Sequence, residues 1–222
     1  AQRLWNFGRL DVAFWWRDFQ DYGDPNTFFN TTIVFQNSVR EGFSRGLDVR
    51  LDIAERRGFS GYLSYTNSRI LQIGPINGGL FLTDEFIEIG PGTRFIPDHD
   101  QRNVGSFAVT YNQRRQGWFA TFGGRHESGV PLEVEDERIA DLMSAPGADL
   151  VDFNRERVRP WTIFDFQTGI NFLRNERRNL RLELNVRNIF DRRFAYNFGS
   201  PFEGTHFGHP RLISGRLTVG FR

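Results

Sequence analysis

One five-residue segment matches the spacing of a hydrolase nucleophile. Residues 42–46 read Gly-Phe-Ser-Arg-Gly, the G-x-S-x-G pattern in which a sharp turn from a strand into a helix exposes the Ser hydroxyl. The residues after Gly46 alternate between apolar and polar types as far as Ile53, which predicts a continuing strand. Because the required helix is not predicted, we interpret the two glycines as a bulge or as strand residues and expect no nucleophile.

The histidines are the next candidates, as metal ligands. His206 and His209 stand three residues apart in a segment that also contains glycines and Pro210, while His99 and His126 lie elsewhere in the sequence. A transition-metal site needs three or four converging ligands, and only two are close in sequence. The chain has no Cys, which excludes a thiolate metal site, a Cys nucleophile and disulfides. We therefore expect ordinary loop histidines and no metal or other cofactor.

Paired carboxylates and glycine pairs could also support catalysis. Asp48 and Asp52 share one face of a predicted strand, and three Glu residues alternate over 133–137, which is a spacing for acid/base partners. Arginines are interleaved with these groups, so ion pairs and a solvated loop explain them. Gly78 and Gly79 precede Leu and Phe, not the helix with Lys and Ser or Thr of a phosphate loop. We expect that the protein is not an enzyme.

Composition excludes further classes. The 28 basic residues, all Arg, and 27 acidic residues give a net charge of +1 without a basic stripe, so we expect no nucleic-acid partner. Hydrophobic residues make up 39% of the 222 residues and form no apolar run long enough for a membrane helix. No secretion signal is visible at the start of the sequence. The 15% aromatic content is unusual for such a polar chain.

Two-residue alternation dominates the sequence and predicts an all-β protein. Leu47, Val49, Leu51 and Ile53 fall on one strand face and charged residues on the other. The same pattern recurs in other segments, including 180–187 and 213–221. It predicts eight strands, at roughly 5–19, 33–54, 59–72, 98–112, 117–127, 159–173, 179–190 and 210–222.

The connections between these strands alternate between short and long. Short ones are predicted at 55–58, 113–116 and 174–178. Long ones are predicted at 73–97, 128–158 and 191–209, with an intermediate one at 20–32. Outer-membrane barrels have short periplasmic turns and long outer loops, so this rhythm predicts an antiparallel transmembrane outer-membrane β-barrel.

The two faces of the strands fit such a barrel. The apolar face would meet lipid, and Trp16 and Trp118, near opposite ends of their strands, would belong to the aromatic girdles at the two membrane interfaces. The other face carries residues such as Ser64, Asp165 and Arg181, as expected for a wet or plugged lumen. The alternative is a β-sandwich, in which the aromatics would pack a core.

Four segments resemble the TonB-dependent outer-membrane receptors. The segment 184–191 (LNVRNIFD) is similar to the family's strand end of Asn, an apolar residue, Phe and Asp, and it is followed by Pro210 and a closing strand to Phe221. Three earlier segments are similar to parts of the same barrel in the same order. They are 35–37 with 45–48 (a long descending strand with a bulge near Gly42), 61–66 (an ascending strand) and 95–99 (the Pro-containing start of the next strand).

The resemblance implies that residues 1–222 form the C-terminal part of a larger, roughly 22-stranded barrel, with the plug domain and the earlier strands upstream. It implies a TonB-coupled active-transport receptor for a scarce nutrient of the siderophore, cobalamin, oligosaccharide or peptide class, in the outer membrane of a Gram-negative bacterium. The implied partners are outer-membrane lipid and lipopolysaccharide, the TonB complex through the plug, the outer-membrane insertion machinery and a small or oligomeric nutrient ligand.

Two sets of residues receive roles from this resemblance. Leu217, Val219 and Phe221 would form the C-terminal strand read by the insertion machinery, although the sequence continues to Arg222. The last long loop would contact ligand through Phe198, Phe202, His206 and His209. Two alternatives remain, a self-contained eight-stranded outer-membrane barrel with a structural or adhesive role and a soluble β-sandwich that binds carbohydrate.

Overall fold

The computed structural model describes residues 2–5, 7–27, 34–78, 89–132, 136–174, 178–200 and 204–221. These residues form fourteen strands, one α-helix and one 3-10 helix. In chain order the elements are β1 (Gln2–Trp5), β2 (Gly8–Thr27), β3 (Val34–Arg56), β4 (Phe59–Gly78), β5 (Arg94–Phe95), β6 (Asn103–Gln113), β7 (Trp118–Glu127), α1 (Asp136–Met143), the 3-10 helix Ala148–Leu150, β8 (Val151–Asp152), β9 (Arg157–Val158), β10 (Trp161–Arg174), β11 (Arg178–Arg187), β12 (Ala195–Ser200), β13 (Gly204–Phe207) and β14 (Leu212–Phe221).

One antiparallel sheet runs through the chain in the order β1-β2-β3-β4-β6-β7-β10-β11-β14, with β5 paired to β4. Each long strand pairs with the next long strand in sequence, as in an up-and-down barrel wall. Within the described residues no ladder joins β1 to β14, so the sheet is open. The all-β antiparallel fold is confirmed.

The count of eight strands is wrong. Each of the eight long strands overlaps one of the eight predicted segments, and six further strands are short. Five of these six lie inside long connections and β1 pairs with the start of β2. Strands of two to six residues give no measurable alternation, which is why the sequence pattern did not show them. The helix α1 lies in the connection from β7 to β10, which was not predicted to contain a helix.

The connections alternate in length along the sheet. The strand ends joined by the short segments 57–58, 114–117 and 175–177 lie at one end of the sheet, and those joined by the long segments 79–102, 128–160 and 188–211 lie at the other. The largest differences from the expected boundaries are at three strand ends. Strand β2 continues to Thr27, so most of the connection expected at 20–32 is strand. Strand β4 continues to Gly78, and β6 starts only at Asn103 because residues 96–102 form a separate turn over the sheet edge.

The ladder registers align the apolar side chains of all the long strands on one face. Phe14 lies opposite Leu47, and Leu51 lies opposite Leu63. This band of facing apolar side chains is here called the apolar lane. It continues through the pairs Leu63↔Phe107, Val109↔Phe122, Phe122↔Phe166, Phe166↔Val186 and Val186↔Ile213. Many of these side chains are solvent-exposed, with Phe14 72% and Leu217 64% accessible. An exposed apolar surface of this extent requires a nonaqueous neighbour.

The opposite face is polar and held by short contacts along and between strands. Arg50 Nε lies 2.9 Å from the Asp52 carboxylate, two residues along the strand, and Arg181 Nη2 lies 2.7 Å from Glu183. Between strands, Thr66 Oγ1 donates to Asp48 at 2.8 Å. Asp52 thus has the ion pair anticipated for it, whereas Asp48 accepts a hydrogen bond from a hydroxyl. The described residues of this face form a polar surface and not a second hydrophobic layer.

The buried hydrophobic core lies outside the sheet. Of the buried hydrophobic residues, only Val39 belongs to one of the strands β1 to β4. The others lie at the long-connection end of the sheet or in the long connections themselves. They are Val151, Val158, Trp161, Phe194, Ala195 and Phe198. A β-sandwich buries its core between two sheets, so this distribution contradicts the sandwich alternative. In the part of the chain that the structure describes, helices long and apolar enough to cross a membrane are absent.

The G-x-S-x-G segment lies inside β3, which runs unbroken from Val34 to Arg56. A Cβ atom on Gly46 would lie 2.5 Å from the Trp15 ring, and one on Gly42 would lie 2.5 Å from the Phe19 ring. Each glycine is directly paired in the β2–β3 ladder with the aromatic residue that covers it, Gly46 with Trp15 and Gly42 with Phe19. The motif's spacing reflects this packing, and the strand makes no nucleophile turn.

Candidate functional site

The described residues of the connections 128–160 and 188–211 fold together into one unit, here called the loop cap, over the long-connection end of the sheet. Its core consists of Val151, Val158, Ala195 and Phe198. Two small hairpins form it, β8–β9 and β12–β13. Partly buried side chains pack around this core, namely Val130, Leu132, Leu142, Ala145, Ala148, Leu150 and Phe153. Long loops are usually mobile, and this shared core gives the cap a defined shape.

An aromatic cluster joins the loop cap to the sheet. Trp161, the first residue of β10, lies 4.3 Å from Phe194 and 5.7 Å from Tyr196 between ring centroids. The Arg125 guanidinium, from β7, lies over the Trp161 ring at 5.6 Å. Because Trp161 and Phe194 are both buried, the base of the cap is a packed junction.

Asn188 closes the connection that carries the β12–β13 hairpin. Its side chain is buried, and its Nδ2 donates to the carbonyls of both Arg192 and His209, at 2.9 and 3.1 Å. Its Oδ1 accepts from the Arg192 backbone N–H at 2.9 Å, and its own N–H donates to Asp165 at 2.8 Å. The residue has φ +49°, a conformation that Asn tolerates better than most residues. One side chain thereby fixes both ends of the loop.

A second polar contact anchors the other half of the loop cap to the turn 96–102. Asp100 has no accessible surface, and its carboxylate accepts from the Ile70 N–H at 3.0 Å and from Arg102 Nε at 2.6 Å. Arg157 of β9 lies 3.5 Å from the same carboxylate and donates to the Gly129 carbonyl at 3.0 Å. Burial lowers the pKa of the Arg157 guanidinium from its ordinary value, while Asp100 opposes this shift.

A pocket of about 480 Å³ opens between the two halves of the loop cap. Phe194 and Phe207 form apolar walls, and Asp191, Arg192 and Arg193 supply charge. Arg193 also lies 3.6 Å from Asp149. Pockets of this size with apolar walls and a few polar groups are typical of small-molecule sites. The size and lining of this pocket fit a small ligand.

The residues proposed from sequence for ligand contact take different positions. Phe198 is 2% accessible and belongs to the cap core, so in this arrangement it supports the loop from inside. His206 and His209 are exposed. The His206 N–H donates to Asn197 Oδ1 at 2.8 Å. Phe202 lies outside the described residues.

The other predicted residues lie in the strands of the sheet. Trp16, 54% exposed, stacks on Phe43 with ring centroids 5.6 Å apart. Trp118, beside a short turn, lies 5.4 Å from Tyr111 between ring centroids. Trp118 therefore lies at the short-turn end of the apolar face, whereas Trp16 lies on the same face in the middle of β2. Strand β14 pairs along its length with β11, where Leu217 lies opposite Leu182, Val219 opposite Leu180 and Phe221 opposite Arg178.

Several residues that shape the cap were missed from the sequence. Asp100, Arg157, Trp161 and Phe194 gave no pattern, since their partners are remote in sequence. Asn188 lay within the family-like segment 184–191, so the signal was present although its hydrogen bonds could not be read from it. Among the described residues there is no group of three or more His, Asp or Glu that could hold a metal ion.

The fold of the chain is similar to that of several import receptors and transporters of known structure. The chain is similar to the ferric-catecholate import receptor Fiu of Escherichia coli K12 in its closed form (TM-score 0.61, 15% identity) and to the ferric citrate transporter FecA (0.58, 14%). It is also similar to the siderophore receptor PiuA of Acinetobacter baumannii (0.57, 16%). The matches cover 97%, 96% and 97% of this chain but 25%, 29% and 26% of the other three.

No protein-family model matches the sequence, and no curated protein matches it significantly. The chain also resembles the outer membrane transporter YddB of Escherichia coli over 98% of its length, at 9% identity and a TM-score of 0.54. The matched proteins are receptors and transporters and not enzymes. The chain thus has the fold of part of an outer-membrane receptor barrel, about a quarter to a third of the chains it matches, which confirms the resemblance to the TonB-dependent receptors at the level of the fold.

Proposed function

We propose that this chain supplies the C-terminal barrel strands and outer loops of a TonB-coupled outer-membrane receptor that imports a scarce nutrient. The observation that carries the proposal is the pairing of an exposed apolar sheet face with a folded cap at the long-connection end. The apolar face fits lipid, the polar face fits a water-filled or plugged lumen, and the cap places a pocket where a ligand would arrive.

The proposal gives each of these parts a separate role. The short turns would face the periplasm and the loop cap the exterior, as in other outer-membrane barrels. Remaining barrel strands would pair with the open edges β1 and β14, and a plug would fill the lumen and connect the receptor to TonB. Insertion into the outer membrane would use the edge strand β14, with Leu217 and Val219 on its apolar face.

Ligand capture would involve the pocket between the two halves of the loop cap. The guanidinium groups of Arg192 and Arg193 could pair with acidic groups of a nutrient, while Phe194 and Phe207 would contact its apolar part. Ligand at this position would bridge both connections and favour one arrangement of the loops. Siderophore, cobalamin, oligosaccharide and peptide ligands all remain within this proposal.

Import by the whole protein tests the proposal. The gene is deleted in the source bacterium, and growth is measured with ferric siderophores, cobalamin, oligosaccharides or peptides as the limiting supply, after complementation with and without functional TonB. We expect one nutrient class to depend on both the gene and TonB. Growth that never depends on TonB would contradict the receptor function and favour a structural or adhesive barrel.

Two charge-matched variants locate the ligand site in the same assay. Arg192→Gln removes the positive charge of a residue that lines the pocket and whose guanidinium donates to the Pro160 carbonyl at 3.3 Å, whereas Arg155→Gln changes an exposed cap residue outside the pocket. We expect the first variant to need a higher nutrient concentration for the same growth and the second to behave as wild type. Equal growth of both variants would exclude Arg192 from ligand binding without affecting the transport proposal.

A further inference from the structure

Two arginines lie directly opposite each other on the apolar face of the sheet. Arg45 of β3 pairs with Arg69 of β4 in a regular stretch of ladder. Leu47 and Tyr65 lie on the same face, closer than the two arginines to the short-turn end of the sheet. Side chains directly opposite on one face have Cβ atoms about 5 Å apart, and like charges in that arrangement destabilise a sheet.

Neither arginine has a carboxylate partner among the described residues. Arg69 Nε is inaccessible to solvent and has no hydrogen-bond acceptor in that part of the chain. The acidic groups on this face of the neighbouring strands are Asp18 and Glu41, and Asp18 accepts a hydrogen bond from Trp16 Nε1 at 2.8 Å. The polar face differs, because Arg9, Arg50 and Arg181 each have an acidic partner.

The position of the pair along the strand is equally specific. Arg45 lies opposite Trp16, and its guanidinium lies 5.7 Å from the Trp16 ring centroid and 5.9 Å from that of Phe43. Amphipathic aromatic rings of barrels concentrate at the water interface of the membrane. Arg45 and Arg69 therefore lie beside an aromatic residue of the kind found at the membrane interface, between Leu47 and the pair Phe43↔Leu71, on the long-connection side of the mid-strand residues.

We propose that Arg45 and Arg69 form a binding site for the phosphate group of a phosphorylated lipid in the outer leaflet. A phosphate between the two guanidinium groups would replace their repulsion with charge-assisted hydrogen bonds and would give Arg69 Nε an acceptor. The acyl chains of the same lipid would cover the exposed apolar lane below. The inference rests on the outer-membrane placement in the proposed function.

Native mass spectrometry of the full-length protein tests this site. Purified delipidated protein is incubated with detergent micelles containing lipid A or dephosphorylated lipid A, and retained lipid is counted. The variant is R45Q/R69Q, and the control is R187Q/R216Q, which removes the same charge from the polar face. We expect roughly tenfold or greater loss of lipid A in the first variant only, and equal retention of dephosphorylated lipid by all proteins.

Three outcomes would overturn the proposal. Equal lipid A retention by both double variants would show that Arg45 and Arg69 do not bind it. Displacement of lipid A by millimolar inorganic phosphate would assign the site to free phosphate. A protein absent from outer-membrane fractions would instead refute the proposed function, which separates the two failures.

The denaturation temperature of R69Q distinguishes loss of lipid binding from misfolding of the variant. In phosphate-free detergent, R69Q should denature at the same temperature as wild type or at a higher one, because it removes like-charge repulsion. In micelles containing lipid A the order should reverse, since ligand stabilises only the protein that binds it. A lower denaturation temperature for R69Q without phosphate would show that Arg69 stabilises the fold by itself and would refute the site.

Discussion

Asn188 gives the sharpest prediction, because one buried side chain fixes both ends of the connection 188–211. Asn188→Ala removes three side-chain hydrogen bonds, two to the carbonyls of Arg192 and His209 and one from the Arg192 N–H. At about 1 kcal/mol each, the loss is about 3 kcal/mol. Alanine at φ +49° adds about 1 kcal/mol more. Asn188→Gly removes the same bonds with little backbone strain, so the difference between the variants measures the strain.

Hydrogen exchange of the full-length protein is the suitable assay, since this loss affects local opening more than barrel unfolding. We expect amide protection in residues 189–211 to fall roughly a hundredfold in Asn188→Gly and further in Asn188→Ala, as 1.4 kcal/mol corresponds to tenfold. Protection in β7, Trp118–Glu127, should not change. The control is Asn185→Ala, three residues earlier on the polar face of β11.

The reasoning would be refuted by unchanged exchange in residues 189–211 of Asn188→Ala. The same conclusion would follow if Asn185→Ala produced an equal effect, because then the loss would reflect damage to β11 and not release of the loop. Equal exchange in the Gly and Ala variants would contradict only the contribution of the positive φ.

Three further variants test packing and anchoring. Gly46→Ala places a methyl group 2.5 Å from the Trp15 ring and should destabilise the protein by about 1–3 kcal/mol, measured by denaturant titration of the purified receptor; a neutral effect would contradict the close packing. Asp100→Asn removes the carboxylate shared by two arginines and should cost the cap anchor about 3 kcal/mol, seen as faster proteolysis within 128–158, whereas an unchanged cleavage rate would count against the anchor. Phe198→Ala should destabilise the cap by about 3–5 kcal/mol and increase exchange in both hairpins; an effect confined to ligand affinity would instead place Phe198 in the ligand site.

The long strands were predictable because alternation is a direct consequence of strand geometry. Residues such as Leu47, Val49 and Leu51 report their face by type alone, and aligning these faces reproduces the apolar lane. The short/long rhythm of connections was visible for the same reason, since it is what remains between periodic segments. Composition then indicated that the apolar face would meet lipid.

The loop cap was not predictable in this way. Strands β8 and β9 contain two residues each, too few for a period, and they exist because Val151 and Val158 pack against Phe198 and Ala195. Phe198 was expected to contact ligand and is buried in the core of the loop cap; its contact with a ligand stays a prediction. Contacts between residues far apart in sequence determine the structure of the loop cap, and a single sequence does not show such contacts.

Strand boundaries failed where local geometry competes with alternation. Strand β6 starts at Asn103, later than expected, because Asp100 uses its carboxylate to bind the Ile70 N–H and two arginines. Strand β4 extends through Pro75 to Gly78, where proline would suggest an end. Both differences lie at the cap end of the sheet, where tertiary contacts outweigh local preference.

Site-specific labelling in intact cells tests the central claim most directly, that the loop cap faces the exterior and the apolar sheet face meets lipid. The 222 residues contain no Cys, so they add no background to single substitutions at Met143 in the cap, Gln116 in a short turn and Leu182 on the apolar face. A membrane-impermeant maleimide should label M143C in intact cells, Q116C only after the outer membrane is opened, and L182C only after detergent extraction. Labelling of Q116C from outside, or of L182C in intact membranes, would contradict the account.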